Sequence, residues 1–327
     1  MVEGKPIKNF LRALLYLSPA IILLGIFTFY PLFNTFIISF KENYNFMTRN
    51  FSGWGIGNYG ILLKSTFFKP ALLNTMLIVF VSVPLSLILS LLISVALNSI
   101  KGFRGILQTV FFLPYVTNTI AIGMVFAVMF ESRQGLVNAF IRMCGGVGIN
   151  WLGGNLDYNL LFQNVDFSFL PKTLNFLTPE YLTGLCVLLI YIVWNSLPFK
   201  ILILLSSLQS IDKQYYQAAK IDGASKFKTF MNITVPFVSP QLVYLMITSF
   251  IGAWKEYSSV DAIFGVKGGT MGNAQNMATV VWHIYRYISS PKSDGMGIAA
   301  AFAVILFVII LLFTALNRYI SNKRVHY

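Results

Sequence analysis

Apolar and polar positions in this chain separate into long blocks rather than short alternations. Six apolar blocks run from about Leu14 to Phe40, Ala71 to Leu97, Ile106 to Phe130, Tyr181 to Ser207, Phe237 to Val260 and Ile298 to Leu316. Each comes near the ~20 residues that an α-helix needs to cross a bilayer. Hydrocarbon offers no water to backbone N–H and C=O groups, and a helix satisfies them within one segment. The pattern therefore predicts an all-α integral membrane protein with six transmembrane helices. Pro19 and Pro31 break the first block, which membrane helices tolerate where neighbours satisfy the freed carbonyls. That block leads straight into further structure without a small-residue cleavage site, so it is expected to be an uncleaved anchor.

Composition agrees. The 327 residues are 56% hydrophobic and only 11% charged, where soluble domains carry about 25% charged residues. A formal charge of +13 raises nucleic acid as a partner. The Lys and Arg residues lie between the apolar blocks, as membrane topology requires, so no nucleic-acid binding is expected. Six spans put both termini on one side. That side carries Lys5, Lys8, Arg12, Lys101, Arg104, Lys213, Lys220, Lys226, Lys228, Arg318, Lys323 and Arg324 in short segments. The other side spreads its basic residues over longer loops. Density places both termini and residues 208–235 in the cytoplasm. The expected organisation is a cytoplasmic N-terminus (1–13), a transmembrane domain (14–320) with an external insertion (131–180), and a cytoplasmic tail (321–327). Within the insertion, residues 154–180 match no pattern.

The polar stretch from Tyr215 to Pro236 organises the second half of the chain. Asp212 suits the N-cap of a short helix ending near Asp222. Gly223 then allows a turn with φ > 0. Ser225 can cap a second short helix, with Phe227, Phe230 and Met231 on one face. Pro236 suits the first turn of the helix that follows. Ala218, Ala219, Gly223 and Ala224 would let another protein approach the backbone closely. Spacing alone describes an ordinary amphipathic loop equally well.

Gln217-Ala218-Ala219, Asp222-Gly223-Ala224, Phe230, Ile233 and Pro236 resemble the EAA loop of permease subunits in ATP-binding-cassette importers. Gln217 stands where that family has Glu, and Val235 where it has Leu. The resemblance implies a coupling helix that docks into a cytoplasmic ATPase, with Gln217 unable to form the salt bridge of the usual Glu. It extends over nearly the whole chain. Leu17-Ser18-Pro19-Ala20, Tyr30-Pro31 and Ser39-Phe40 resemble the first helix of sugar-type permeases. Asn58-Tyr59 and Ala71-Leu72-Leu73-Asn74-Thr75 resemble the entry to their core. Gly135-Leu136-Val137-Asn138 and Asn150-Trp151-Leu152 are similar to their third external segment. Gly268-Gly269, Ala278-Thr279 and Gly297-Ile298-Ala299-Ala300-Ala301 resemble the approach to the last helix. The first helix is closer to the maltose and glycerol-phosphate "first permease" type. The implied fold is that of a type I importer permease in the bacterial cell (inner or plasma) membrane.

Polar residues at membrane depth face a bundle interior or a pathway. Asn118, Trp194, Asn195, Trp254, Glu256 and Tyr257 are candidates for a substrate pathway. An aromatic ring covers the apolar face of a pyranose, and amides pair with its hydroxyls. Trp254 and Tyr257 equally fit an interfacial aromatic belt, and Lys255 interface charge neutralised by Glu256. Asn74, Ser82 and Thr248 are expected to hold helices together, and Lys200 to snorkel toward the interface. Every Arg falls in a loop, a tail or at a helix end, so an uncharged cargo is expected.

No catalytic constellation is legible. A Walker-type phosphate loop is missing from the sequence. Cys144 and Cys186 have neither metal nor redox spacing. His283, beside Trp282 and Tyr285, reads as packing, and His326 as solvated; no metal site is expected. The predicted function is a non-enzymatic permease subunit forming half of the pathway of an ATP-driven, binding-protein-dependent importer for a sugar or oligosaccharide. Its expected partners are a homologous second permease, two ATPase subunits that bind ATP and Mg, an extracytoplasmic solute-binding protein and membrane lipid, with no cofactor in this chain. A self-contained secondary carrier or channel is the alternative, although internal repeats and coupling charges are not evident. Glycerol phosphate or another small solute is the alternative cargo.

Overall fold

The computed structural model describes residues 6–100, 102, 104–152, 161, 178–265, 277–289 and 295–324. The described residues form helices α1 (Pro6–Leu24), α2 (Tyr30–Ser39), α3 (Gly57–Lys64), α4 (Phe68–Ser99), α5 (Arg104–Val116), α6 (Thr119–Met129) and α7 (Leu136–Met143). They continue with α8 (Pro179–Ser210), α9 (Lys213–Ile221), α10 (Lys226–Thr229), α11 (Val235–Trp254), α12 (Ser258–Phe264), α13 (Val280–Ile288) and α14 (Gly295–Arg324). A two-residue antiparallel pair, β1 (Lys41–Glu42) with β2 (Gly53–Trp54), is the β-structure among them. Five helical stretches are long and apolar enough to cross a membrane, or six when the bent pair α5 and α6 counts as one.

The apolar blocks become helices with two departures. Block three is not one rod: α5 and α6 meet at a 98° bend. Pro114 lies three residues before the break, and Asn118 restarts the helix as N-cap, its Oδ1 accepting from Ile120 N (2.9 Å) and Ala121 N (3.2 Å). Block five stops at Trp254 rather than Val260, and the separate short α12 follows. The prolines leave a local signature as well. A five-residue π-helical turn precedes Pro31 (Gly25–Phe29) and another precedes Pro236 (Phe230–Thr234). The proline ring collides with the carbonyl four residues back, and a wider turn relieves the collision without ending the helix.

Two compact units are distinguished, one from residues up to Ser65 with Ile284–Val308, the other from Thr66–His283 with residues from Ile309 onward. In the first, Asn58 Nδ2 donates to Ser39 O (3.0 Å) and Lys41 O (2.9 Å), and Tyr59 Oη shares a hydrogen bond with Ser39 Oγ (2.7 Å). A Cβ on Gly297 would lie 2.8 Å from Asn58 Nδ2 and 2.9 Å from Lys41 O, so the close approach there requires glycine.

In the second unit, α4 packs most extensively against α8. α4 carries a stripe of Ser82, Ser86, Ser90 and Ser94, all buried at i, i+4 spacing, of which Ser86 and Ser94 bond to α8. Small side chains let two membrane helices approach closely. Ser94 Oγ also donates across to Ile201 O at 3.2 Å. A polar cluster ties the ends of these helices. Asn74 donates to Ala278 O (3.0 Å) and accepts from Tyr181 Oη (2.7 Å), Val280 N donates to Thr75 Oγ1 (3.1 Å), and Thr279 Oγ1 donates to Glu256 O (2.6 Å).

The segment after α6 is closed by buried Asn138. Its amide donates to Ser132 O (2.9 Å) and Ile149 O (2.7 Å), and accepts from Ile149 N (3.0 Å) and Trp151 Nε1 (3.0 Å). Asn138→Ala leaves the Ile149 N–H and the Trp151 indole N–H without acceptors. At about 1–3 kcal/mol per stranded donor, the expected loss is about 3 kcal/mol, read as a fall in the unfolding midpoint of the purified chain in detergent. An unchanged midpoint would remove this network from the account of stability. Leu161 apart, residues 153–177 of the expected insertion, together with Gly268-Gly269 and His326, lie outside the described residues.

Candidate functional site

Two features built from the second unit stand out, a capped loop and a cavity. The loop begins where Asp212 Oδ1 accepts from Gln214 N at 2.9 Å, capping α9. α9 ends in a glycine-centred stop. Gly223 has φ +69°, its N–H donates to Lys220 O (3.2 Å), and Ala224 N–H donates to Ala219 O (2.9 Å). These two bonds are the Schellman pattern, in which the residue after the C-cap takes the left-handed conformation. Ser225 then caps α10 by accepting from Lys228 N (3.3 Å). Pro236 falls in the first turn of α11. Each cap expected from the sequence is where the spacing put it.

The side chains divide into two sets. Tyr216 and Ala219 face the chain's own helices: Tyr216 packs against the cluster of Leu208, Ile211 and Val238, its hydroxyl 3.2 Å from Thr234 Oγ1, and Ala219 is buried. Ala219 therefore supports the loop from within, rather than presenting a surface to a partner as the sequence led one to expect. Gln217, Ala218, Asp222 and Gly223 are exposed, and Ala224 and Phe230 half-buried. Between Lys220, Lys226 and Lys228, two large apolar side chains stand out from the protein, Ile221 at 85% and Phe227 at 73% exposure.

The cavity, about 350 Å³, opens between α4, α5, α8 and α11. That lies within the range of ligand cavities, about 300–1,000 Å³. Its polar lining includes Ser82, Ser86, Tyr115, Asn195, Lys200 and Glu256. Ser82 Oγ is buried with no hydrogen-bond partner. Glu256 sits in the corner between α11 and α12, where its Oε1 accepts from Ser259 N at 3.0 Å.

Of the six pathway candidates, the structure brings Asn195 and Glu256 together on this lining. The other four lie elsewhere. Asn118 is exposed and spends its oxygen on the α6 cap. Trp194 packs on Phe126 with ring centroids 5.3 Å apart. Trp254 is fully buried against Phe313, its Nε1 without a partner, so it is not a ring of an interfacial belt. Tyr257 packs against the main apolar cluster. Lys255 is exposed.

Lys200 corrects the sequence reading. It does not snorkel: it is 5% exposed, and its ammonium donates to Ser86 Oγ and to Ser196 Oγ (3.2 Å). Ser82, expected to serve only helix packing, also lines the cavity. Asn74 serves packing as expected, and the Thr248 hydroxyl returns to its own helix at Tyr244 O (2.9 Å). His283 packs against Phe67 and Trp282, and no group of three His, Cys, Asp or Glu suited to a metal occurs among the described residues.

The sequence profile of the family described as binding-protein-dependent transport system inner membrane component matches residues 60–326. The chain belongs to that family. Over most of its length it is similar to curated sugar permeases of the same family. It is 27% identical over 311 residues to the arabinooligosaccharides transport system permease protein AraP of Bacillus subtilis, covering 94% of this chain and 88% of that one. It is 28% identical over 313 residues to the lactose transport system permease protein LacF of Rhizobium radiobacter, covering 95% and 94%. It is 29% identical over 300 residues to the trehalose/maltose transport system permease protein MalF of Thermococcus litoralis, covering 92% and 90%. The fold matches a chain in the crystal structure of a bacterial alginate ABC transporter with a TM-score of 0.74 at 20% identity, covering 97% of this chain and 96% of that one. The protein is a multi-pass permease subunit of a binding-protein-dependent importer, with the type I permease fold.

Proposed function

We propose that this permease carries a sugar or oligosaccharide and forms half of an ATP-driven pathway, with a homologous second permease forming the other half. Two ATPase subunits bind and hydrolyse ATP with Mg, and an extracytoplasmic protein delivers the cargo. Both termini and residues 208–235 face the cytoplasm on this reading, by the density of Lys and Arg in the short loops. The saccharide is inferred from the relatives, whose names specify arabinooligosaccharides, lactose and trehalose/maltose. Hydroxyl, amide and aromatic groups around the cavity suit such a cargo.

The observation that carries the coupling role is the exposure of Ile221 and Phe227 on a short, doubly capped basic loop. Large apolar groups held out on ordered backbone fit insertion into a partner's cleft. Gln217, Ala218, Asp222 and Gly223 lie on the exposed part of the same loop, and Ala219, Ala224, Phe230 and Pro236 set its shape. The expected result is ATP-dependent saccharide uptake by liposomes containing this chain, its second permease, the ATPase and the binding protein, and none when any one is omitted. Saccharide uptake by this chain alone would overturn the proposal and favour a self-contained carrier.

A further inference from the structure

Lys200 places an ammonium on the cavity lining, and the two groups that hydrogen-bond to it are neutral hydroxyls. Lys200 lies on α8, four residues after Ser196, with Ser86 facing it from α4. Its recorded partners are the hydroxyls of those two serines. An ammonium buried at membrane depth costs several kcal/mol of desolvation unless it is paired with opposite charge. Hydroxyls supply oxygen but no charge.

The carboxylate on the same lining is Glu256. Its Oε1 accepts the Ser259 N–H as α12 begins, and the Lys200 ammonium bonds to Ser86 and Ser196 rather than to this carboxylate. The remaining polar lining, including Ser82, Tyr115 and Asn195, is neutral. If α4 and α8 needed only a hydrogen bond between them, a serine or an amide on α8 would supply it without burying charge, as Ser94 does toward Ile201 O. A lysine there is accounted for by a ligand that completes the pair. Its ammonium is a compact point charge, suited to one oxyanion group.

We infer that Lys200 is a specificity-determining residue that binds an anionic oxygen substituent on the imported saccharide. This rests on the saccharide reading of the cavity given above. The substituent is a carboxylate, sulfate or phosphate, all of which present the same oxyanion to the ammonium. The expectation of an uncharged cargo came from the placement of the arginines, and Lys200 at the cavity reverses it.

The test uses the complete importer in liposomes, offered a mixture of neutral, uronate-containing, sulfated and phosphorylated oligosaccharides, with mass spectrometry of what accumulates. The wild type is expected to concentrate one of the three acidic classes, and the products identify which. Lys200→Gln keeps an amide for the two serines and removes the charge. It is expected to lower the acidic-to-neutral uptake ratio about tenfold, the factor that one charge-assisted hydrogen bond supports. Lys200→Arg is expected to retain the preference for acidic cargo. The ratio is insensitive to how much protein folds, since a folding loss lowers both classes together. Accumulation of neutral saccharides by the wild type would overturn the role of Lys200 while leaving the saccharide reading intact. Accumulation of no saccharide would overturn both. An acidic preference that persists in Lys200→Gln, or an equal fall in both classes with the protein still in the membrane, would assign Lys200 to helix packing and overturn the inference.

Discussion

Gly223→Pro is expected to abolish transport by the assembled importer while leaving the chain in the membrane. Gly223 holds φ at +69°, and its N–H donates to Lys220 O. Proline fixes φ near −65° and has no N–H, so it can supply neither, and such replacements cost ~3 kcal/mol or more. That energy falls on a loop of two short helices, α9 and α10, which owe their ends to caps. Nothing comparable threatens α8 and α11, whose packing lies in the membrane domain. The loop therefore unfolds or reorients locally, and Ile221 and Phe227 lose their fixed positions. Gly223→Ala provides the graded comparison. A Cβ at this position meets nothing within 4 Å inside the chain, so its cost is the left-handed backbone alone, about 1 kcal/mol. Uptake and co-purification of the ATPase are the measurements: both are expected near background for Gly223→Pro and near wild type for Gly223→Ala in the absence of close contact from a partner. Wild-type uptake by the proline variant would remove this loop from coupling.

The ease of reading this loop has a physical basis. Asp212 and Ser225 act through side-chain oxygens on backbone N–H groups two and three positions on, and Gly223 and Pro236 through their own backbone. Such interactions are local, and spacing contains them. The apolar blocks were legible for a similar reason, since bilayer thickness sets their length. What sequence could not give was direction around a helix. Block three reads as one span because its length and predominantly apolar composition suit one, and Pro114 with Asn118 marks the break only once the cap is seen. Trp254 and Glu256 are two residues apart, yet the first is buried against Phe313 and the second lines the cavity. Lys200 was misplaced for want of a partner. The signal that could have found it is the four-residue rhythm of Ser82, Ser86, Ser90 and Ser94, matched on α8 by Ser196 and Lys200. A small polar stripe on one membrane helix marks where another comes close, and a lysine facing it has no route to the interface.

Asn195→Trp is expected to stop cargo uptake, by about a hundredfold or more, while cargo-independent ATP hydrolysis by the assembled importer continues. Asn195 is half-buried on α8 and reaches the lining shared with Glu256. An indole there occupies the space between α8 and α11 that a sugar ring would need. A hundredfold loss corresponds to about 2.8 kcal/mol, more than the removal of one neutral amide would supply at about 1 kcal/mol. Asn195→Ala is accordingly expected to cost only several-fold. Overpacking a filled core costs about 1–3 kcal/mol of stability, but this position borders about 350 Å³ of open space, so the chain should insert and assemble normally. Trp194, its neighbour, separates blockage from general disturbance. It packs on Phe126, outside the lining, and Trp194→Ala is expected to lower thermal stability while uptake per folded importer stays within a few-fold of wild type. Should Asn195→Trp transport at the wild-type rate, the cargo takes another route and the cavity must be given a different role. Should Trp194→Ala and Asn195→Trp lose uptake equally per folded importer, the pathway runs along both residues, as the sequence alone had led one to expect.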